Sequence, residues 1–204
     1  MQTVSCPTEE KVDPRVRRTR KLIEDAFRAL LSERAFGQIS IADVTERATV
    51  NRATFYAHYE DKQHLATTIL RDDLHGAMLA RLAPGTPLSA ESLTDVAGAL
   101  FEFMGRTLRA CPKHHDEFRE TFSVTLQETI RRFIEEWIDH DPKAMSAFPG
   151  AAQETVVTVL GWSLYGGAIQ WSTQAPRPPA SLAAQRVVAL LLRSSGGPKR
   201  GEPR

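Results

Sequence analysis

Apolar residues recur along most of this chain at intervals of three and four, the spacing that lines one side of an α-helix. The first run, Leu22, Ile23, Ala26, Phe27, Leu30 and Leu31, ends near Phe36-Gly37. A short second run sets Ile41, Val44 and Ala48 on one face, Thr49-Val50-Asn51 interrupts it, and Phe55 and Tyr59 resume at an i, i+4 interval. Helical spacing then holds from residue 61 to about 83, where Pro84-Gly85-Thr86-Pro87 stops it. It returns over 93–108, which ends before Cys111-Pro112, and over 118–138, where Phe122, Leu126, Ile130, Phe133 and Trp137 form a continuous stripe. Asp141-Pro142 and Phe148-Pro149-Gly150 bracket a loop, and helices over about 152–171 and 180–193 follow, the last one after Pro176-Arg177-Pro178-Pro179. No strand alternation or internal repeat interrupts this. The expected fold is all-α, with about nine helices: three in an N-terminal head, a fourth as a link, and the rest in a larger body.

The segment 38–65 carries the chemistry. Ser40 and Asp43 form an S-x-x-D capping box that starts a helix at Ile41, and Asn51 is a good N-cap for a second helix from Arg52. Phe55 and Tyr59 then turn inward toward Val44 and Val50. The outer face is left with Arg52, Ala53, Thr54, Tyr56, Ala57 and His58, small residues that let a helix approach a groove floor, interleaved with donors for phosphates or base edges. Asp61 can cap the next helix, which puts Lys62 in a first turn that already attracts anions. Two short helices joined by a tight turn, with a basic and aromatic edge, make a helix-turn-helix. Taken singly, a Tyr, His or Lys at a helix end is more often an ordinary surface residue; the spacing argues otherwise.

The run T-F-Y-x-H-Y-x-x-K at 54–62 resembles the recognition segment of the tetracycline-repressor (TetR) family of bacterial regulators, where T-F-Y-x-H-F-x-x-K is usual. The resemblance is close over about fifty N-terminal residues and beyond them extends to architecture. Two positions depart from the pattern. Thr49 stands where the family usually has Gly in the turn and must manage without glycine's freedom at positive φ. Asn51 replaces the usual Ser and caps equally well. The resemblance implies a ligand-responsive regulator, most often a repressor, that binds double-stranded DNA as a homodimer.

Charge sharpens the picture only locally. Apolar residues make up 42% of the chain and charged residues 25%, with a formal net charge of +1, so overall charge says nothing about partners. Residues 15–21, RVRRTRK, hold five basic side chains and no acid. Cations at a helix N-terminus oppose the macrodipole by about 0.3–1 kcal/mol each, which a phosphate backbone would offset, and a solvated basic turn is the plainer alternative. The resemblance places this helix start and the arm before it beside operator DNA. Cys6 and Cys111 are far apart in sequence, which argues against a disulfide and suits a reducing cytoplasm. The start MQTVSCPTEEK lacks the apolar stretch of a signal peptide, and Val156–Trp171, the most apolar segment, is short for a membrane span.

These readings divide the chain into an arm (1–13), a helix-turn-helix domain (14–60), a helical effector-binding and dimerisation body (61–193) and a Gly-, Pro- and Arg-containing tail expected to be disordered (194–204). The expected DNA contacts are Arg17, Arg18, Ser40, Arg52, Ala53, Thr54, Tyr56, His58 and Lys62. Arg52 and Ala53 approach base edges, and Thr54, Tyr56, His58 and Lys62 chiefly hold phosphates. Palindromic half-sites about one turn, ~34–36 Å, or a multiple of it apart require a dimer. The last two helices are the candidates for that interface, through Leu160, Leu164, Ala168, Trp171, Val188 and Leu191, and in the resembled family they form a four-helix bundle with the partner. An effector pocket for a small hydrophobic or amphipathic molecule is expected around Met78, Phe101, Met104, His115, Phe118, Phe122 and Trp137, any one of which, taken singly, is more often core packing. The rival reading is a metal-binding or enzymatic protein using His114 and His115. Adjacent residues on a helix point about 100° apart, so that pair does not converge as an i, i+4 pair would. No metal, cofactor or catalytic residue is expected.

Overall fold

A computed structural model of the chain describes residues 13–110 and 115–193, with side chains except those of 108–119 and Arg193. Cys6, Cys111, His114, the side chains of His115 and Phe118, the arm as far as residue 12 and the tail from 194 lie outside the described residues. Eight α-helices form: α1 (Pro14–Glu33), α2 (Ile41–Ala48), α3 (Arg52–Tyr56), α4 (Lys62–Leu79), α5 (Ala90–Ala110), α6 (His115–His140), α7 (Gln153–Ser172) and α8 (Ala180–Arg193). Short 3-10 turns, Phe36–Gln38 and Ala144–Ala147, precede α2 and α7, and no strand occurs among the described residues. The fold divides into two compact units after Leu65, inside α4 and five residues beyond the boundary read from the sequence.

In the N-terminal unit, α1 opens with Pro14 behind an Asp13 cap whose carboxylate accepts from the Arg15 amide at 2.8 Å. Its buried stripe, Ile23, Ala26, Phe27 and Leu30, packs with α2, and Phe27 meets Phe36 edge-on at 6.3 Å. In the C-terminal unit α5 packs against α7 and α8, while α7 also contacts α6 and α8. At Gly167 α7 comes close to its neighbours, since a Cβ there would sit 3.0 Å from Val187 and 3.1 Å from Phe101. The 84–88 loop is tied down at two points. The Trp137 indole N–H donates to the Thr86 carbonyl (2.9 Å), and the Leu88 amide donates to Asp141 (2.8 Å).

Several boundaries differ from the sequence expectation for local reasons. α4 ends at Leu79, because Arg81 and Leu82 bond back three residues, to Met78 and Leu79, in tighter turns. α5 starts three residues early, since Ser89 and Ser92 exchange side-chain and backbone bonds ahead of it.

Burial shows where two residue groups read from the sequence lie. Leu160, Leu164, Ala168, Trp171 and Val188, expected at a dimer surface, are core residues, and Leu191 is partly buried against that core. Their i, i+4 spacing marks the face of α7 that meets α5 and α6; being apolar on nearly all sides, the helix concealed which face turns inward. Its outward face instead carries Val159 and Trp162, 50% and 59% exposed, and α8 exposes Leu190 at 69%. Met78, Phe101, Met104 and Trp137, expected around an effector cavity, are all buried in one hydrophobic core, and Phe122 packs against its edge. A groove of about 240 Å³ lies elsewhere, between α6 and α7, walled by Val124, Val157 and Trp162 with Gln127, Arg131 and Thr158 along its polar side.

Candidate nucleic-acid interface

The helix-turn-helix is assembled by short-range chemistry. The Ser40 hydroxyl accepts from the Asp43 amide (3.1 Å) while Asp43 accepts from the Ser40 amide (2.7 Å), so each residue satisfies a helix-end donor of the other. These bonds, with Arg34 beside them at 3.1 Å, hold the Asp43 carboxyl below its ordinary range. A second ion pair, Arg47 with both oxygens of Glu33 (2.5 and 3.0 Å), ties the end of α2 to the end of α1.

The turn is a Schellman closure. Thr49 takes the left-handed conformation (φ 55°, ψ 44°), its amide bonds to the Glu46 carbonyl, and the Val50 amide reaches the Thr45 carbonyl at 3.0 Å. Thr49 is the only non-glycine with positive φ among the described residues. A β-branched residue is strained there, and the capped ends on both sides hold it in place.

Asn51 then caps α3, accepting from the Thr54 amide (2.7 Å) and the Thr54 hydroxyl (2.9 Å). Phe55 and Tyr59 are fully buried beneath the helix, their ring centroids 5.8 Å apart. Arg52, Ala53 and Tyr56 face outward, Tyr56 being 52% exposed, and Thr54 and His58 are half-buried. Arg17 and Arg18 are exposed on the first turns of α1. Five residues are too few for a self-standing helix, so its direction rests on those two buried rings.

Three of the expected donors are already engaged inside the head. The Ser40 hydroxyl donates to Asp43 (2.6 Å) and that of Thr54 to Asn51. The Lys62 ammonium donates to the carbonyls of Phe36 (2.8 Å) and Ile39 (2.7 Å) and lies 4.3 Å from the centre of the Phe36 ring. The reading of Lys62 as chiefly a phosphate ligand therefore changes. It sits at the start of α4, where Asp61 caps the His64 amide at 2.7 Å, and it secures the 3-10 turn that leads into α2.

The Tyr59 hydroxyl has a partner that sequence reasoning missed, donating to Glu24 of α1 at 2.7 Å. Burial first, then that carboxylate, pushes the phenol up to about 12. A tyrosine where the resembled pattern has Phe was the available signal, because a buried hydroxyl needs an acceptor.

Residues 23–69, from mid-α1 to mid-α4, match the family model of the bacterial regulatory proteins of the TetR family. Over these residues the chain is similar to the TetR family. Over 64 residues it is 39% identical to the uncharacterized HTH-type transcriptional regulator YxbF of Bacillus subtilis (strain 168), a stretch covering 31% of this chain and 17% of that protein. The chain thus matches less than a fifth of that relative's length. The fold extends the likeness. A TetR transcriptional regulator from Streptococcus agalactiae 2603V superposes with a TM-score of 0.57 at 20% identity, over 88% of this chain and 96% of that one. RolR, solved in complex with resorcinol, gives 0.57 at 19% identity over 93% and 97%. At those identities the structural matches establish a TetR-like all-helical fold. Among the described residues, no helix is long and apolar enough to cross a membrane.

Proposed function

We propose that this chain is a regulator of the TetR family, homodimeric and effector-responsive, a repressor in its basic action, that binds a palindromic duplex in the cytoplasm. The observation that carries this reading is α3 itself: capped by Asn51, anchored by Phe55 and Tyr59, and presenting Arg52, Ala53 and Tyr56 on an open face. Arg52 and Ala53 approach base edges. Tyr56, His58, Arg17 and Arg18 hold phosphates. Ser40, Thr54 and Lys62 act mainly by shaping the head, because their donors are bound within it.

One α3 covers too little groove for specificity, so two heads must act together. The surface we assign to the second copy is the outward face of α7 with the adjoining α6 groove and the exposed end of α8. Trp162, Val159, Val124 and Leu190 are large, apolar and at least half exposed, a combination that marks an association surface. Trp162 also walls the groove, so a two-fold arrangement would let each copy's indole enter the other's groove.

The effector in this reading is a small hydrophobic or amphipathic molecule, supported at the level of fold by RolR's complex with resorcinol. It would bind by parting the packed aromatic and thioether side chains around Phe101, Met104 and Trp137. Effector and DNA then oppose each other by equal factors in binding.

Selecting duplexes from a random pool with the full-length protein tests the reading. A palindrome with half-sites about one or two turns apart is expected; no enrichment over the input pool would reject it. Tyr56→Ala should weaken binding to the selected duplex and to unrelated duplexes alike, without unfolding the head.

A further inference from the structure

Glu24 gathers more partners than a surface carboxylate on a long helix needs. Its Oε1 accepts the Tyr59 hydroxyl at 2.7 Å and lies 4.0 Å from the Arg20 guanidinium, and its Oε2 lies 3.7 Å from that of Arg28. Arg20 also sits over the Tyr59 ring, 5.9 Å from its centre. One carboxylate, mostly buried with 18% of its side chain exposed, therefore joins two cations of α1 to the aromatic residue beneath the recognition helix.

We propose that Glu24 and Tyr59 are positioning residues for sequence discrimination: the carboxylate is a hub that fixes how α3 is set on α1 and balances the charge of Arg20 and Arg28. The proposal rests on the DNA-binding reading above and goes beyond it. Phe55 supplies an apolar pivot for α3, and apolar burial is non-directional where a hydrogen bond is not. The Tyr59 hydroxyl adds a directional, charge-assisted bond at the far end of the turn, which resists rotation about that pivot. Base-edge hydrogen bonds depend steeply on direction, so a small swing of α3 weakens contacts to the right bases while hardly altering the attraction to phosphates.

The hub has an electrostatic role as well. Arg20 belongs to the basic run of α1, and an acid among these cations restrains their pull on any duplex, whatever its sequence. Removing the hydroxyl should loosen direction, and removing the charge should raise indiscriminate binding. The two effects are separable by their salt dependence.

The experiment compares full-length wild type, Tyr59→Phe, Glu24→Gln and the double variant on two duplexes: one selected from a random pool by the wild type, and a scrambled one of equal composition. Tyr59→Phe is expected to lower the selected-to-scrambled affinity ratio at least about five-fold with an unchanged salt slope, because it removes no phosphate contact. Glu24→Gln is expected to lower the ratio and to steepen the slope on scrambled DNA by ~0.9 for each guanidinium that turns to a phosphate. The double variant should lose less than the sum of the two, as members of one network do. Far-UV circular dichroism and amide exchange check that the head stays folded. Unchanged ratios, or strictly additive losses, overturn the hub. So does a Tyr59→Phe head that loses its order while Glu24→Gln keeps full discrimination, since the hydroxyl would then serve folding alone. If the wild type enriches no duplex, the DNA-binding reading fails first, and that outcome is distinct from the others.

Discussion

Replacing Lys62 by Met removes the ammonium while keeping most of the aliphatic stem, and two lines of reasoning about this residue then give different numbers. As the structure places it, the ammonium makes two charge-assisted bonds, to the Phe36 and Ile39 carbonyls, and faces the Phe36 ring. Hydrogen bonds to a charged group contribute about 1.5–3 kcal/mol each, and a cation over an aromatic ring about 0.5–1. The sum must be reduced. The Phe36 carbonyl still accepts from the Ile39 amide at 3.1 Å, and water can reach part of the site because Lys62 is only half-buried. A net loss of about 2–4 kcal/mol remains, large beside the total stability of a unit this small.

Amide exchange reads that loss where it falls. Opening of the head should become about thirty-fold to several hundred-fold more frequent, seen at the amides of Val50 and Tyr59, which bond to Thr45 and Phe55. Amides of α7 in the other unit serve as the internal reference. DNA binding separates the alternatives further. A lysine on a phosphate would take ~0.9 from the log–log salt slope when removed, whereas a lysine bound to carbonyls leaves the slope unchanged and lowers affinity only through the loosened head. Unaltered exchange together with a reduced slope would refute the reasoning and return Lys62 to the phosphates.

Thr49→Gly should stabilise the head by about 0.5–1 kcal/mol, the ~1–2 kcal/mol relief of a left-handed residue less glycine's greater unfolded-state freedom; slower exchange of the Val50 amide checks it, and faster exchange would reject the strain argument. If two copies pair as proposed, Trp162→Glu should convert dimer to monomer in sedimentation at micromolar concentration without changing helix content, and a dimer that persists would remove α7's outer face from the proposed interface. Asp141 accepts the Leu88 and Lys143 amides, which hold its carboxyl below the ordinary aspartate value of 3.8. With the folded value depressed, its contribution is complete above the unfolded value and is lost as pH falls through the folded one. The stability gap between wild type and Asp141→Asn should thus be constant near neutrality and close below about pH 4; a gap that widens in acid would contradict that sign.

The caps and inward rings of the head were legible in the sequence because they are set by local rules. Ser40, Asp43 and Asn51 each satisfy donors three or fewer residues away, and a capping side chain states where a helix begins regardless of the rest of the fold. The inward turn of Phe55 and Tyr59 likewise follows from a four-residue interval. What the sequence left open lies at long separation. Lys62 reaches carbonyls 23 and 26 residues away, and Tyr59 an acid 35 residues away, and no periodicity announces such pairings.

α7 shows the opposite failure, one of excess signal. A helix that is apolar on nearly all sides satisfies every amphipathic template at once, so its pattern cannot tell the face that meets α5 and α6 from the face left open. The sequence reading chose the regular i, i+4 row through Leu160, Leu164 and Ala168, and the monomer's own core takes that row. That row packs within the chain, and the association surface proposed above is built from what remains. Trp162 and Val159 are that remainder. Their exposure has a cost in solubility that a lone monomer has no reason to bear, and pairing of two copies through this face would remove it.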